Sequence, residues 1–245
     1  MFEDHYSHKA EGYSRFRPTY PDELYQFIVS HVARRERAWD CATGSGQAAR
    51  HLAASFQEVV ATDASSRQLA HAPAHPRIRY LRTLAEDTPF EPGSFDLVTV
   101  ATAVHWLDQE RFYAEVRRVA RPDALLAVWS YSTEVSTGTG VDAVMARFSD
   151  EILRDAWTPG FWLARDRYRS LPFPFEELPG PEFSVRVRWT LRDLEGWVDT
   201  WSAVSARRRK GVDPVPELLR ELAAVWPESR SLDIELPLGF RLGRV

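Results

Sequence analysis

The chain has 245 residues, 44% hydrophobic and 12% aromatic, enough to bury the core of one α/β domain with an insertion or of two small domains. A formal net charge of −4 argues against a general nucleic-acid or membrane-surface binder. Cys41, the single cysteine, excludes an internal disulfide, and no run approaches the ~18–20 apolar residues of a membrane helix. The first residues show no charged-then-apolar leader, so a cytoplasmic protein is expected.

Residues 1–19 are polar and aromatic with little period, and nothing near His5 or His8 completes a metal set. Tyr13 to Pro21 is more informative. Pro18 and Pro21 favour extended backbone, and Pro21 suits the start of a helix from Asp22 to about Ala33. Leu24, Phe27, Ile28 and Val32 share one face of that helix. Residues 1–20, with Tyr13, Arg17 and Tyr20, read as a lid over a ligand or as a helix lead-in packed on a sheet.

The central stretch is Arg37 to Leu52. A short apolar run, Ala38 to Cys41, suits a buried strand; it passes through Thr43-Gly44-Ser45-Gly46 into a helix from Gln47 to Phe56. A strand that turns through glycines into a helix start is where an α/β sheet holds a nucleotide-like ligand, because backbone can approach closely and N–H groups are unpaired. Gly44-x-Gly46-x-x-Ala49 with Asp63 downstream also satisfies the dinucleotide pattern, so a nicotinamide-dependent oxidoreductase is an alternative. Asp40 favours a different ligand. A pyrophosphate beside its carboxylate would be repelled, whereas an ammonium would be attracted. S-adenosylmethionine has a ribose for Asp63 and an ammonium for Asp40.

Glu58 to Asp63 reads as strand two, Ser65 as the cap of a short helix, and Arg77 to Leu81 as strand three. The histidines of His71-Ala-Pro73-Ala-His75 are not a metal pair, since Pro73 disrupts the helix that would align them. Phe95 to Ala101 is strand four, running into Thr102-Ala-Val-His105-Trp106; Asp108 caps the next helix and Ala124 to Trp129 is strand five. This alternation predicts a parallel sheet with helices on both faces and a ligand at the carboxyl ends of the strands, where Asp40, Asp63, Glu86 and His105 converge. Residues 131–180 break the alternation with Trp157, Phe161, Trp162, Tyr168, Phe173 and Phe175, a substrate cap or a packed insertion. Phe183 to Trp189 reads as an edge strand, Leu191 to Arg209 and Val215 to Trp226 as helices, and Leu236 to Leu242 as the last strand. Arg207 to Lys210 reads as a solvated helix end, not a nucleic-acid patch.

Trp39-Asp-Cys-Ala-Thr-Gly-Ser-Gly-Gln47, Ala61-Thr-Asp63-Ala64-Ser65, Ala85-Glu86-x-x-Pro89-Phe90 and Ser94 to Val98 followed by His105-Trp106 resemble, in order, the motifs of class I S-adenosylmethionine-dependent methyltransferases. Tyr13 to Pro21 and Thr200 to Val204 are similar to a small-molecule branch that includes trans-aconitate methyltransferase-like proteins. The resemblance implies a Rossmann-like, seven-stranded, mostly parallel sheet of order 3-2-1-4-5-7-6, in one domain over residues 1–245. It implies S-adenosylmethionine as cofactor, held by Asp40, Ala42, Thr43, Gly44, Gly46, Gln47, Asp63, Ala64, Ala85, Glu86 and Ala101, and no metal. Tyr13, Arg17, Tyr20, Trp106 and Trp129 would face a small-molecule acceptor, with neither nucleic acid nor membrane as partner. A non-catalytic adenosylmethionine-binding protein is a further alternative, since a fold does not fix a function. The departures are Ala42 for a glycine, Leu84 for an adenine-binding aspartate, and Asp123-Ala124 for Gly-Gly. His105 is the candidate base, if the acceptor must lose a proton, or else a pocket-shaping residue. A carboxylate acceptor would need no base, and Arg17 could hold it.

Overall fold

The computed structural model describes residues 16–245. In chain order the elements are α1 (Asp22–His31), β1 (Arg37–Cys41), α2 (Gln47–Leu52), β2 (Glu58–Asp63), α3 (Ser66–Ala70), β3 (Ile78–Arg82), β4 (Phe95–Ala101), α4 (Gln109–Val119) and β5 (Ala120–Tyr131). There follow α5 (Gly140–Arg147), α6 (Pro159–Arg165), β6 (Glu176–Glu177), β7 (Ser184–Thr190), α7 (Leu191–Asp199), α8 (Ser202–Arg209), α9 (Val215–Val225) and β8 (Ser231–Arg244).

The strands form one sheet of order β3-β2-β1-β4-β5-β8-β6, with β7 also paired to β8. The first five strands are parallel and β8 is antiparallel to β5. The expected order holds. The strand count is eight because the two-residue β6 joins β8 at Gly243 and Arg244, while β7 pairs with residues 231–237. The 14 residues of β8 outrun the expected Leu236–Leu242 because their first half pairs with β7 and their second half with β5.

Buried side chains form two clusters. One joins α1, α2 and the cap helices around Trp129, Trp197 and Trp201; the other joins α4 and the 161–175 segment around Trp39, Phe112 and Tyr168. The central strands are covered on both faces, as β4 shows with Leu97, Val98 and Val100 all fully buried. Burying a Leu or Phe side chain contributes about 1.5–3 kcal/mol, so these layers hold the carboxyl ends of β1, β2, β4 and β5 at one rim.

Ser65 caps α3 by accepting from the Gln68 N–H, and Asp108 caps α4 by accepting from the Arg111 N–H. Three helices are shorter than the sequence predicts, and of these α2 ends at Leu52 rather than Phe56. The 191–209 stripe breaks at Thr200, whose hydroxyl donates back to the Trp197 carbonyl at 2.6 Å while Trp201 turns extended. The 141–153 stripe passes from α5 into a π-helical turn, Phe148–Ile152.

Candidate functional site

The turn after β1 is a left-handed backbone. Ala42, Gly44 and Gly46 have φ of 52°, 58° and 81°. Ala42 carries a Cβ penalty that a glycine would not. Gly46 is required twice over, since a Cβ there would also lie 2.5 Å from the Tyr80 hydroxyl. Beneath the turn, the fully buried Asp40 accepts hydrogen bonds from the Thr43 hydroxyl and, at 2.8 Å, from Thr99 Oγ1. Burial pushes its pKa up to about 6 against the opposing effect of those bonds. From the end of β2, Asp63 accepts from the Gly44 N–H at 2.9 Å and the Ser65 N–H at 2.8 Å. One carboxylate therefore joins the two loops.

These loops bound a cavity of about 600 Å³ at the carboxyl ends of the strands. Of the residues the resemblance implies, Ala42, Thr43, Gly44, Gln47, Asp63, Ala64, Ala85, Glu86, Ala101, Arg17, Tyr20 and Trp106 line it. The 84–90 segment is held to α4: Glu115 accepts from the Thr88 N–H at 3.0 Å, and Arg118 Nη1 donates to the Phe90 carbonyl at 2.6 Å. Glu86 accepts from the Asp108 N–H at 3.1 Å. Leu84, 47% exposed, turns apolar surface to the cavity.

The lead-in to α1 crosses this cavity. Gln47 Nε2 donates to the Pro18 carbonyl at 3.3 Å, Tyr20 Oη lies 2.6 Å from Thr102 Oγ1, and Arg17 Nη1 donates to Tyr131 Oη at 3.2 Å. Phe16 packs onto Gly196, where a Cβ would come within 2.6 Å of its ring.

Several expected site residues stand elsewhere. Asp40 has no exposed surface and is not among the cavity-lining residues; its carboxylate bonds the Thr43 hydroxyl in the turn. Gly46 shapes the turn without lining the cavity. Trp129 is fully buried behind the wall, edge-on to Tyr20 and Tyr25 at 5.6 and 5.8 Å. Its place within β5, two residues short of the strand end, keeps it there; Tyr131 at that end lines the cavity instead. Tyr13 lies outside the described residues.

His105 lines a separate chamber of about 50 Å³, which shares Arg17, Thr102, Trp106 and Tyr131 with the large cavity. Its Nδ1 lies 2.8 Å from Tyr168 Oη. Packing around the ring, and second the Arg17 charge, push its pKa down to about 3. It is a neutral imidazole and a feeble base at neutral pH.

Sequence reasoning missed Arg50, Gln68, Thr102, Leu107, Arg111 and Tyr131, all lining the large cavity. Thr102 and Tyr131 follow β4 and β5, so the rule that ligands sit at strand ends could have found them. Among the described residues no group of three or more His, Cys, Asp or Glu could hold a metal, and no helix is long and apolar enough to cross a membrane.

Residues 39–128 match the model of a methyltransferase domain. Over 245 aligned residues the chain is 31% identical to a methyltransferase of Dictyostelium discoideum, covering 97% of this chain and 93% of that protein. It is 32% identical over 132 residues to an S-adenosylmethionine-dependent methyltransferase of Saccharomyces cerevisiae, covering 50% of this chain and 45% of the other. A solved structure described as a type II methyltransferase from Anaeromyxobacter dehalogenans superposes with a TM-score of 0.84 at 40% identity, over 93% of this chain and 97% of that one. A parallel sheet in this strand order, a glycine turn tied to the acid of β2, and likeness over nearly the whole length agree: the chain belongs to the class I S-adenosylmethionine-dependent methyltransferases.

Proposed function

We propose that this enzyme methylates an oxygen of a small carboxylate. S-adenosylmethionine, when bound, supplies a sulfonium methyl that the acceptor oxygen's lone pair takes in line as the carbon–sulfur electrons leave on sulfur. The protein's part is to hold and orient two reactants and exclude water, worth several kcal/mol of barrier when the geometry is right. The left-handed turn and Gln47 would hold the aminoacyl portion, Asp63 the ribose hydroxyls, and Ala64, Ala85 and Glu86 the adenine end, with Ala101 at the cavity floor. A cavity of about 600 Å³ is ample for such a ligand.

What borders the shared wall supports this acceptor class. Arg17 offers a cation there, whereas the base suggested by the sequence, His105, is neutral and bonded to Tyr168. Among the described residues, the carboxylates lining the cavity accept backbone N–H groups: Asp63 those of Gly44 and Ser65, Glu86 that of Asp108, and Asp108 that of Arg111. An acceptor that arrives already ionised needs no proton removed. The single observation carrying this reading is the pairing of a guanidinium with a non-basic histidine at one wall.

The test is transfer of labelled methyl to panels of carboxylic acids, amines and phenols. Alkali-labile methyl esters are expected, with kcat/KM at least tenfold lower in Arg17→Gln and S-adenosylhomocysteine affinity retained. Label on amines or phenols alone would overturn the acceptor class.

A further inference from the structure

We infer that Thr102 is the residue that positions the methyl acceptor: its hydroxyl, fixed by Tyr20, donates a hydrogen bond to the carboxylate oxygen that is not methylated. The inference deepens the carboxylate reading above and rests on it.

Thr102 follows β4 directly, and its backbone is left-handed, with φ of 52°. A β-branched side chain is rare there, because its Cβ crowds the backbone on either side; a glycine would take the same turn without that strain. The surroundings hold the strained residue in place. Its N–H donates to the Trp129 carbonyl at 2.7 Å, and its Oγ1 lies 2.6 Å from Tyr20 Oη. Tyr20 is buried, edge-on to Trp129 at 5.6 Å and tilted against Tyr131 at 5.8 Å. Strain kept at a cavity wall implies a use for the side chain that carries it.

The strand register says where that side chain stands. Cys41 pairs with Val100, so Thr102 lies at the rim beside the left-handed turn after β1. The strand order β2-β1-β4 puts it across that turn from Asp63 at the end of β2. Thr102 and Tyr20 both line the large cavity. In the reading above, Asp63 and the turn serve the cofactor, and the rim beyond β4 is left to the acceptor.

The chemistry follows from two hydroxyls in contact. A phenol is more acidic than an aliphatic alcohol and the better donor, so Tyr20 donates and Thr102 accepts. Thr102 then has its own hydrogen for a ligand. A carboxylate takes it as a charge-assisted bond, stronger than a neutral one. One carboxylate oxygen accepts this bond while the other attacks the methyl, and no proton changes hands. The bond is strongest to the ionised acid and weakens as its charge is lost to the ester. It therefore acts on binding, and its loss is expected in KM rather than in kcat.

The experiment uses the full-length enzyme with acetate to octanoate, benzoate, succinate and fumarate as acceptors. Ester formation gives KM and kcat; thermal shifts give binding of S-adenosylhomocysteine alone and of each acid in its presence. Thr102→Val keeps the shape and removes the hydroxyl. It should raise KM about 10- to 100-fold, change kcat by less than about threefold, and lose the acid-induced shift while keeping that of S-adenosylhomocysteine. Thr102→Ser should return KM toward the wild-type value. Tyr20→Phe should raise KM by less than Thr102→Val does. Thr102→Gly removes hydroxyl and strain together, so it should melt within about 4 °C of the wild type and yet show the KM of Thr102→Val. An unchanged KM in Thr102→Val, an effect confined to kcat, or an equal loss in Thr102→Ser would overturn the role of Thr102 and leave the carboxylate reading standing. Failure of the wild type to methylate any of the acids would overturn both.

Discussion

Asp40 is a residue legible in the sequence whose contacts are not. Its charge and its place before the glycine turn single it out, but its contacts depend on Thr99, 59 residues away on the neighbouring strand. Its pKa of about 6 lies above the ordinary carboxylate value of 3.8, so the folded state binds the extra proton between those values. The sign is therefore destabilising on raising the pH. The favourable contribution is complete below about pH 4 and lost as pH rises through 6, roughly 3 kcal/mol in all. Asp40→Asn should flatten that part of the stability curve, measured by urea unfolding at pH 4 to 7; an unchanged slope would contradict the assignment. His105 makes the complementary case. Its position beyond β4 is legible, while Tyr168, the residue that engages it, is 63 positions on. The pH profile of kcat should keep its shape in His105→Asn, and loss of a limb near pH 6.5 would restore His105 as the base.

Among the elements, the turn from β1 to α2 was readable because its needs are local. Glycine at Gly46 answers a φ of 81° and the approach of Tyr80. Gly46→Ala should cost on the order of 1–3 kcal/mol, lowering the melting midpoint by about 2–4 °C for each. Tyr80→Phe in the same chain should recover part of this by removing the hydroxyl. A melt that does not change would mean the turn is not held as described. The cap was legible only as an aromatic surplus. Its stacking of Trp157 on Phe161 and the break at Thr200 depend on packing between segments far apart in the chain, which periodicity does not record. The strand beginning at Ser231 was read five residues short for the same reason: its first half is ordered by pairing with β7.

At the scale of the whole molecule, the strand order puts the ends of β1, β2, β4 and β5 beside one another, and residues from 17 to 131 meet around one cavity. The alternation of strands and helices made the parallel sheet legible, whereas its strand order came from the resemblance of the motifs to a known family. Which side chains reach the cavity was less legible, as Trp129 and Tyr131 show within a single strand. The central claim is that this cavity, with Asp63 as its hinge between two loops, is the cofactor site. It is tested most directly by calorimetric titration of S-adenosylhomocysteine into the wild type and Asp63→Ala, with NAD as the control ligand. Binding of S-adenosylhomocysteine and not NAD is expected, weakened about 10- to 100-fold in Asp63→Ala by loss of a charged hydrogen-bond acceptor. Equal affinity in the two proteins, or tighter binding of NAD, would contradict the account.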